Sequence, residues 1–141
     1  MLIGMGTRRV TGALLVLVLS LPVGVAAARE NRREKPRATQ IAGTSGSDTL
    51  DGTANADVIR GKSGNDTLDG GAGDDTVSGD GGNDVIRGGA GRDVLLGGAG
   101  NDKIFARDGE ADTIACGRGR DVVQADRADT ITGECEVVRA Q

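Results

Sequence analysis

The sequence has no His, no Trp and no Tyr, a single Phe and only two Pro among 141 residues. Without histidine there is no Ser-His-Asp or Cys-His nucleophile system and no His-ligated zinc. With one aromatic ring, a conventional large core is not expected, and one domain is the natural count at this length. Two Cys leave little room for a sulfur-rich metal centre. Glycine is what the chain has instead, at 25 positions. It does not recur every third residue and is not accompanied by proline, so a collagen helix is excluded.

The one long apolar run is at the start. Arg8 and Arg9 precede a mostly apolar stretch over 10–25, and Ala26-Ala27-Ala28 follows. This order predicts an export signal over 1–28 and a mature chain from Arg29. The run is short and broken by Gly12, Ser20 and Pro22, which argues against a retained membrane anchor. Residues 29–40 follow as a flexible basic linker, with five bases against two acids in 29–37. From Ala38 onward the balance reverses to 10 basic and 19 acidic residues. Such a surface disfavours nucleic acid, whose phosphates need basic partners, and favours cations.

A period of nine organises the middle of the chain. Asp stands at 48, 57, 66, 75, 84, 93 and 102, and an aliphatic follows two residues later at Leu50, Ile59, Leu68, Val77, Ile86, Leu95 and Ile104. Gly-rich stretches precede each Asp, as in Gly70-Gly71-Ala72-Gly73-Asp74-Asp75 and Gly97-Gly98-Ala99-Gly100-Asn101-Asp102. Each unit therefore reads as a tight turn and a very short strand whose aliphatic faces inward. One unit cannot bury its aliphatic alone. Two units make one flattened turn of a coil, and successive turns stack as two parallel sheets at about 4.8 Å per layer. Asp48, Asp66, Asp84 and Asp102 then fall on one edge, and Asp57, Asp75 and Asp93 on the other. Carboxylates stacked about 5 Å apart repel unless a positive charge lies between them. Oxygen-only donors on flexible loops suit Ca²⁺ better than Mg²⁺. No loop has the alternating acids closed by a Glu that an EF-hand needs.

These units resemble the RTX (haemolysin-type) calcium-binding nonapeptide, Gly-Gly-x-Gly-x-Asp-x-aliphatic-x. A stricter two-repeat form is met by Asp57, Ile59, Gly64, Asp66, Leu68, Gly70, Gly71 and Asp75, and again by Asp84, Ile86, Gly91, Asp93, Leu95, Gly97, Gly98 and Asp102. The resemblance implies an all-β, right-handed parallel β-roll over 41–105 with several Ca²⁺ ions between loops two repeats apart. The ligands it implies are the seven repeat Asp and the backbone carbonyls of Gly61, Ser63, Gly70, Ala72, Gly79, Gly81, Gly88, Ala90, Gly97 and Ala99. Two units depart from the pattern. The unit at Gly52 has Asn55 where a Gly is expected, a residue that tolerates positive φ. The unit at Gly43 carries Thr44-Ser45 and is expected to be a weak site. RTX toxins and proteases carry a C-terminal secretion signal and a large upstream domain; this sequence opens on a predicted N-terminal signal, so their activities are not carried over.

Beyond Phe105 the spacing drifts through Asp112, Asp121 and Asp129 while Ile114, Val123 and Ile131 keep the aliphatic row. Residues 106–141 read as degenerate repeats and a C-terminal cap, which a solenoid needs to close its end. Those three Asp are either further calcium ligands or solvated. Cys116 and Cys135 lie 19 residues apart, close to one 18-residue turn and within disulfide reach; in an exported protein they are expected to be bonded, contributing about 3 kcal/mol.

The functional expectation is a secreted, monomeric, non-enzymatic calcium-binding protein whose repeats fold on the ion after export. The alternative is a calcium-dependent cell-surface, adhesion or structural protein built on the same coil. Outward residues such as Thr49, Thr67, Val85 and Lys103 form no regular ladder, which argues against ice binding, while outward Leu96 and Phe105 offer a contact patch.

Overall fold

The computed structural model describes residues 37–139; the predicted export signal and most of the basic linker lie outside them. Twelve strands follow one another: β1 Thr39–Ala42, β2 Thr49–Asp51, β3 Asp57–Ser63, β4 Thr67–Ala72, β5 Thr76–Gly81, β6 Val85–Ala90, β7 Val94–Ala99, β8 Lys103–Ala106, β9 Thr113–Arg118, β10 Val122–Ala125, β11 Thr130–Thr132 and β12 Glu136–Arg139. No helix occurs among the described residues. β1 takes in Thr39 and Gln40, the last two residues of the expected linker.

The odd strands form one six-stranded sheet in the order β1-β3-β5-β7-β9-β11 and the even strands another, β2-β4-β6-β8-β10-β12. All ladders are parallel, so the chain is a parallel β-solenoid of two nonapeptides per turn, as the nine-residue period predicts. Register follows the aliphatics. Ile59 pairs with Val77, Val77 with Leu95, and Leu95 with Ile114. On the other sheet Leu68 pairs with Ile86, Ile86 with Ile104, and Ile104 with Val123. A one-residue slip would turn each row to solvent, so the single aliphatic per repeat sets the pairing.

Between the sheets runs a core one side chain thick. Ile59, Leu68, Val77, Ile86, Leu95, Ile104, Ile114 and Val123 are all fully buried, with Ala106, Cys116 and Ala125 extending it toward the C-terminal end. The ten-residue spacing from Asp102 to Asp112 is absorbed in the loop after β8 without loss of register. Cys116 and Cys135 are disulfide-bonded, with Cα atoms 5.9 Å apart.

Turns between layers are so close that side chains have no room. Gly82 has φ +128°, and a methyl group on it would collide with the carbonyl of Gly64 one turn earlier. Asp80 also takes positive φ, at 68°, and is held there by Ser78 Oγ at 2.7 Å and by Arg60 at 3.0 Å.

Candidate metal centre

The repeat Asp lie inside the coil. Asp57, Asp66, Asp75, Asp84, Asp93 and Asp102 are each 1% exposed, and Asp112 and Asp121 are as deeply placed. Asp precedes the inward aliphatic by two positions, and period-two alternation sends both to the same side. The carboxylates therefore line the interior at each edge of the sandwich.

One oxygen of each is used by the backbone. The N–H of Asp48 donates to Asp66 Oδ1 at 2.8 Å, that of Asp66 to Asp84 Oδ1 at 2.8 Å, that of Asp84 to Asp102 Oδ1 at 2.8 Å, and that of Asp102 to Asp121 Oδ1 at 2.9 Å. On the other edge the same ladder runs from Thr39 through Asp57, Asp75, Asp93 and Asp112 to Asp129. Both predicted columns are thus present, and each extends beyond the regular repeats.

The second oxygen is different. Oδ2 of Asp66, Asp75, Asp84, Asp93, Asp102, Asp112 and Asp121 is buried without a hydrogen-bond partner. A buried carboxylate oxygen left in this state is strongly unfavourable and calls for a cation. The cause shows in the acidities. Burial raises the carboxyls of Asp75, Asp93, Asp102 and Asp112 to about 6; the ladder N–H offsets part of this and neighbouring carboxylates add to it. Asp84 is raised by the same causes.

A cradle stands beside Oδ2 of Asp66, Asp75, Asp84, Asp93 and Asp102, while Ala106 and Cys116 hold the corresponding positions beside Asp112 and Asp121. A methyl group on Gly70 would lie 2.6 Å from Asp75 Oδ2 and closer still to the Gly88 carbonyl of the next turn. One on Gly79 would meet Asp84 Oδ2 and lie 2.6 Å from the Gly97 carbonyl. At Gly61 the neighbours are Asp66 Oδ2 and the Gly79 carbonyl, and at Gly97 they are Asp102 Oδ2 and the Cys116 carbonyl. The Gly61 and Gly70 carbonyls occupy the same place beside Gly43 and Gly52. Carboxylate and carbonyl oxygens thus converge from two adjacent turns on space that only glycine leaves open. Among the described residues no three His, Cys, Asp or Glu side chains converge, so an ion here must draw on the backbone. Hard oxygen donors with few carboxylates per site fit Ca²⁺.

The other five predicted carbonyls are placed differently. Gly81, Ala90 and Ala99 each accept an N–H from the preceding turn, from Gly64, Gly73 and Gly82. Ser63 and Ala72 stand in register with Gly81 and Ala90 at the strand ends. Each accepting carbonyl keeps a second lone pair, but Gly61, Gly70, Gly79, Gly88 and Gly97 are the ones that line the cradles.

Asp48 and Asp57 complete the columns, yet their Oδ2 atoms have partners within their own loops. Thr44 N–H and Oγ1 donate to Asp48 at 2.6 and 2.9 Å, and Thr53 N–H and Oγ1 to Asp57 at the same distances. Burial pulls Asp57 upward, but the donors from Thr53 and Thr39 outweigh it and hold its carboxyl below the usual value. Asn55 does not take the positive φ expected of it; Thr53 closes that loop instead.

Three features were absent from the sequence reading. The Cys116 carbonyl lines a cradle. Thr44 and Thr53 seal loops, visible in the sequence only as Thr at the second repeat position. An Asn ladder also runs along one edge: Asn83 N–H donates to Asn65 Oδ1 at 2.8 Å and Asn101 N–H to Asn83 Oδ1 at 2.7 Å.

Comparison with known proteins agrees with this geometry. No curated protein shows significant similarity to the chain. A family model, the RTX calcium-binding nonapeptide repeat, matches in four copies over residues 42–77, 51–86, 78–110 and 87–123, together more than half of the sequence. The chain, with its buried Asp columns and glycine-lined cradles, belongs to the RTX calcium-binding nonapeptide repeat family.

Proposed function

We propose that this protein is a secreted calcium-binding module whose repeats fold on Ca²⁺ after export. The observation that carries the reading is the row of buried, partnerless Oδ2 atoms from Asp66 to Asp102, each beside a glycine cradle. A core one aliphatic thick per repeat does little against the entropy of ordering a Gly-rich chain, and those orphan oxygens oppose folding further. Ion binding offsets both terms, so binding free energy becomes folding free energy. Low calcium inside the cell leaves the chain unfolded and exportable, and millimolar calcium outside folds it. The role is binding rather than catalysis, and the protein acts as a monomer.

The test is a calcium titration followed by far-ultraviolet circular dichroism, with Mg²⁺ as the control. A β signal that rises with Ca²⁺ and not with Mg²⁺ supports the reading. A full β signal in chelator at pH 7 overturns it.

A cell-surface or adhesion role on the same coil is favoured by one observation. Arg87 lies over the Phe105 ring at 5.5 Å on the outer face of the even sheet, beside Arg107. Retention on isolated cell walls with calcium, and release without it, supports that role.

A further inference from the structure

At the start of the coil the second carboxylate oxygen is satisfied without metal, and toward the far end side chains replace the cradle glycines. At the start, Thr44 and Thr53 give Asp48 and Asp57 an N–H and a hydroxyl each. In later loops the same place is taken by Lys62, Gly71, Asp80, Gly89, Gly98 and Gly117, all with positive φ. A β-branched residue avoids that backbone state, and in every loop that adopts it the Asp Oδ2 is left orphaned. Thr at the second repeat position therefore selects a sealed loop, and Gly an open one.

The far end is closed by two other devices. Asp129 Oδ2 accepts the N–H of Asp126 at 2.8 Å. On the opposite edge Val122 pairs with Glu136, which places Cys135 where the next Asp of the column would stand. Its disulfide partner Cys116 precedes Gly117, which pairs with Gly98, so Cys116 holds the position of a cradle glycine. The last cradle, that of Asp121, is filled by the bridge.

Resting on the calcium-binding reading above, we infer that ion binding is confined to the interior of the coil. The ion-requiring carboxylates are Asp66, Asp84 and Asp102 on one edge and Asp75 and Asp93 on the other. Asp48 and Asp57 are structural, sealed by threonine in place of calcium. Asp112 and Asp121 are also buried with orphaned Oδ2 atoms, but Ala106 and Cys116 hold the positions of their cradle glycines, so neither takes an ion. The coil thus has metal-free caps at both ends and a metal-dependent centre.

Native mass spectrometry of the purified protein in calcium counts the bound ions directly. Asp57→Asn and Asp112→Asn are expected to leave the wild-type count unchanged, Asp93→Asn to lower it by one, and Thr53→Gly, which opens the sealed loop, to raise it by one. Loss of an ion in Asp57→Asn or Asp112→Asn, or none lost in Asp93→Asn, overturns the inference. Should Asp57→Asn fail to fold in saturating calcium, Thr53→Gly decides, and an unchanged count there overturns it. A wild-type protein that binds no calcium defeats the proposed function instead, so the two failures are distinguishable.

Discussion

At the scale of a residue, Asp84 shows how one side chain serves two purposes. Its Oδ1 takes the N–H of Asp66 and so fixes the layer spacing, while its Oδ2 faces the Gly79 cradle with no donor. Asp84→Asn keeps a ladder acceptor but removes the charge and turns an amide toward the cradle. The calcium midpoint of the β signal should rise about tenfold, the equivalent of ~1.4 kcal/mol; an unchanged midpoint would separate the carboxylate from ion binding. Gly82 tests the backbone alone. Its φ of +128° and the nearby Gly64 carbonyl leave no place for a methyl group. Gly82→Ala should destabilise the calcium-loaded coil by more than ~1 kcal/mol, read as a lower urea midpoint in saturating calcium.

A strand in this coil contributes one inward aliphatic, and the layers above and below supply most of its contacts. Ile86 lies fully buried between Leu68 and Ile104 of the neighbouring turns. Ile86→Ala should destabilise the loaded protein by about 2–5 kcal/mol, because neither neighbour can collapse across a ladder held by main-chain bonds. Both the heat midpoint and the calcium midpoint report it. The strands, their pairing and the two Asp columns were legible in the sequence because nine-residue spacing fixes register, and Asp-x-aliphatic fixes which side chains share a face. The spacing of Cys116 and Cys135 announced the bridge for the same reason. What the repeat did not reveal depends on loop backbone state. Thr53 looks like a tolerated substitution until its N–H and hydroxyl are found on Asp57. Asp112 looks like a drifting copy until the loop after β8 is seen to absorb the extra residue.

Over the whole molecule, the buried carboxylates make stability depend on pH in opposite senses with and without calcium. In the metal-free coil Asp75, Asp93, Asp102 and Asp112 titrate near 6, above the ordinary aspartate value of 3.8. The folded state therefore binds more protons than the unfolded chain between those limits. By linkage, its stability rises as pH falls through 6 and levels off below about 4. A proton on an orphan Oδ2 removes the charge that burial and the neighbouring carboxylates penalise. With calcium bound, Asp75, Asp93 and Asp102 are held as carboxylates, protons compete with the ion, and stability falls over that range. Circular dichroism in metal-free buffer should show β structure growing from pH 7 to pH 4. In millimolar calcium the signal should be full at pH 7 and the heat midpoint should drop in acid. Parallel slopes in the two buffers would mean that these carboxylates do not face the ion, and would remove the electrostatic basis for calcium-coupled folding.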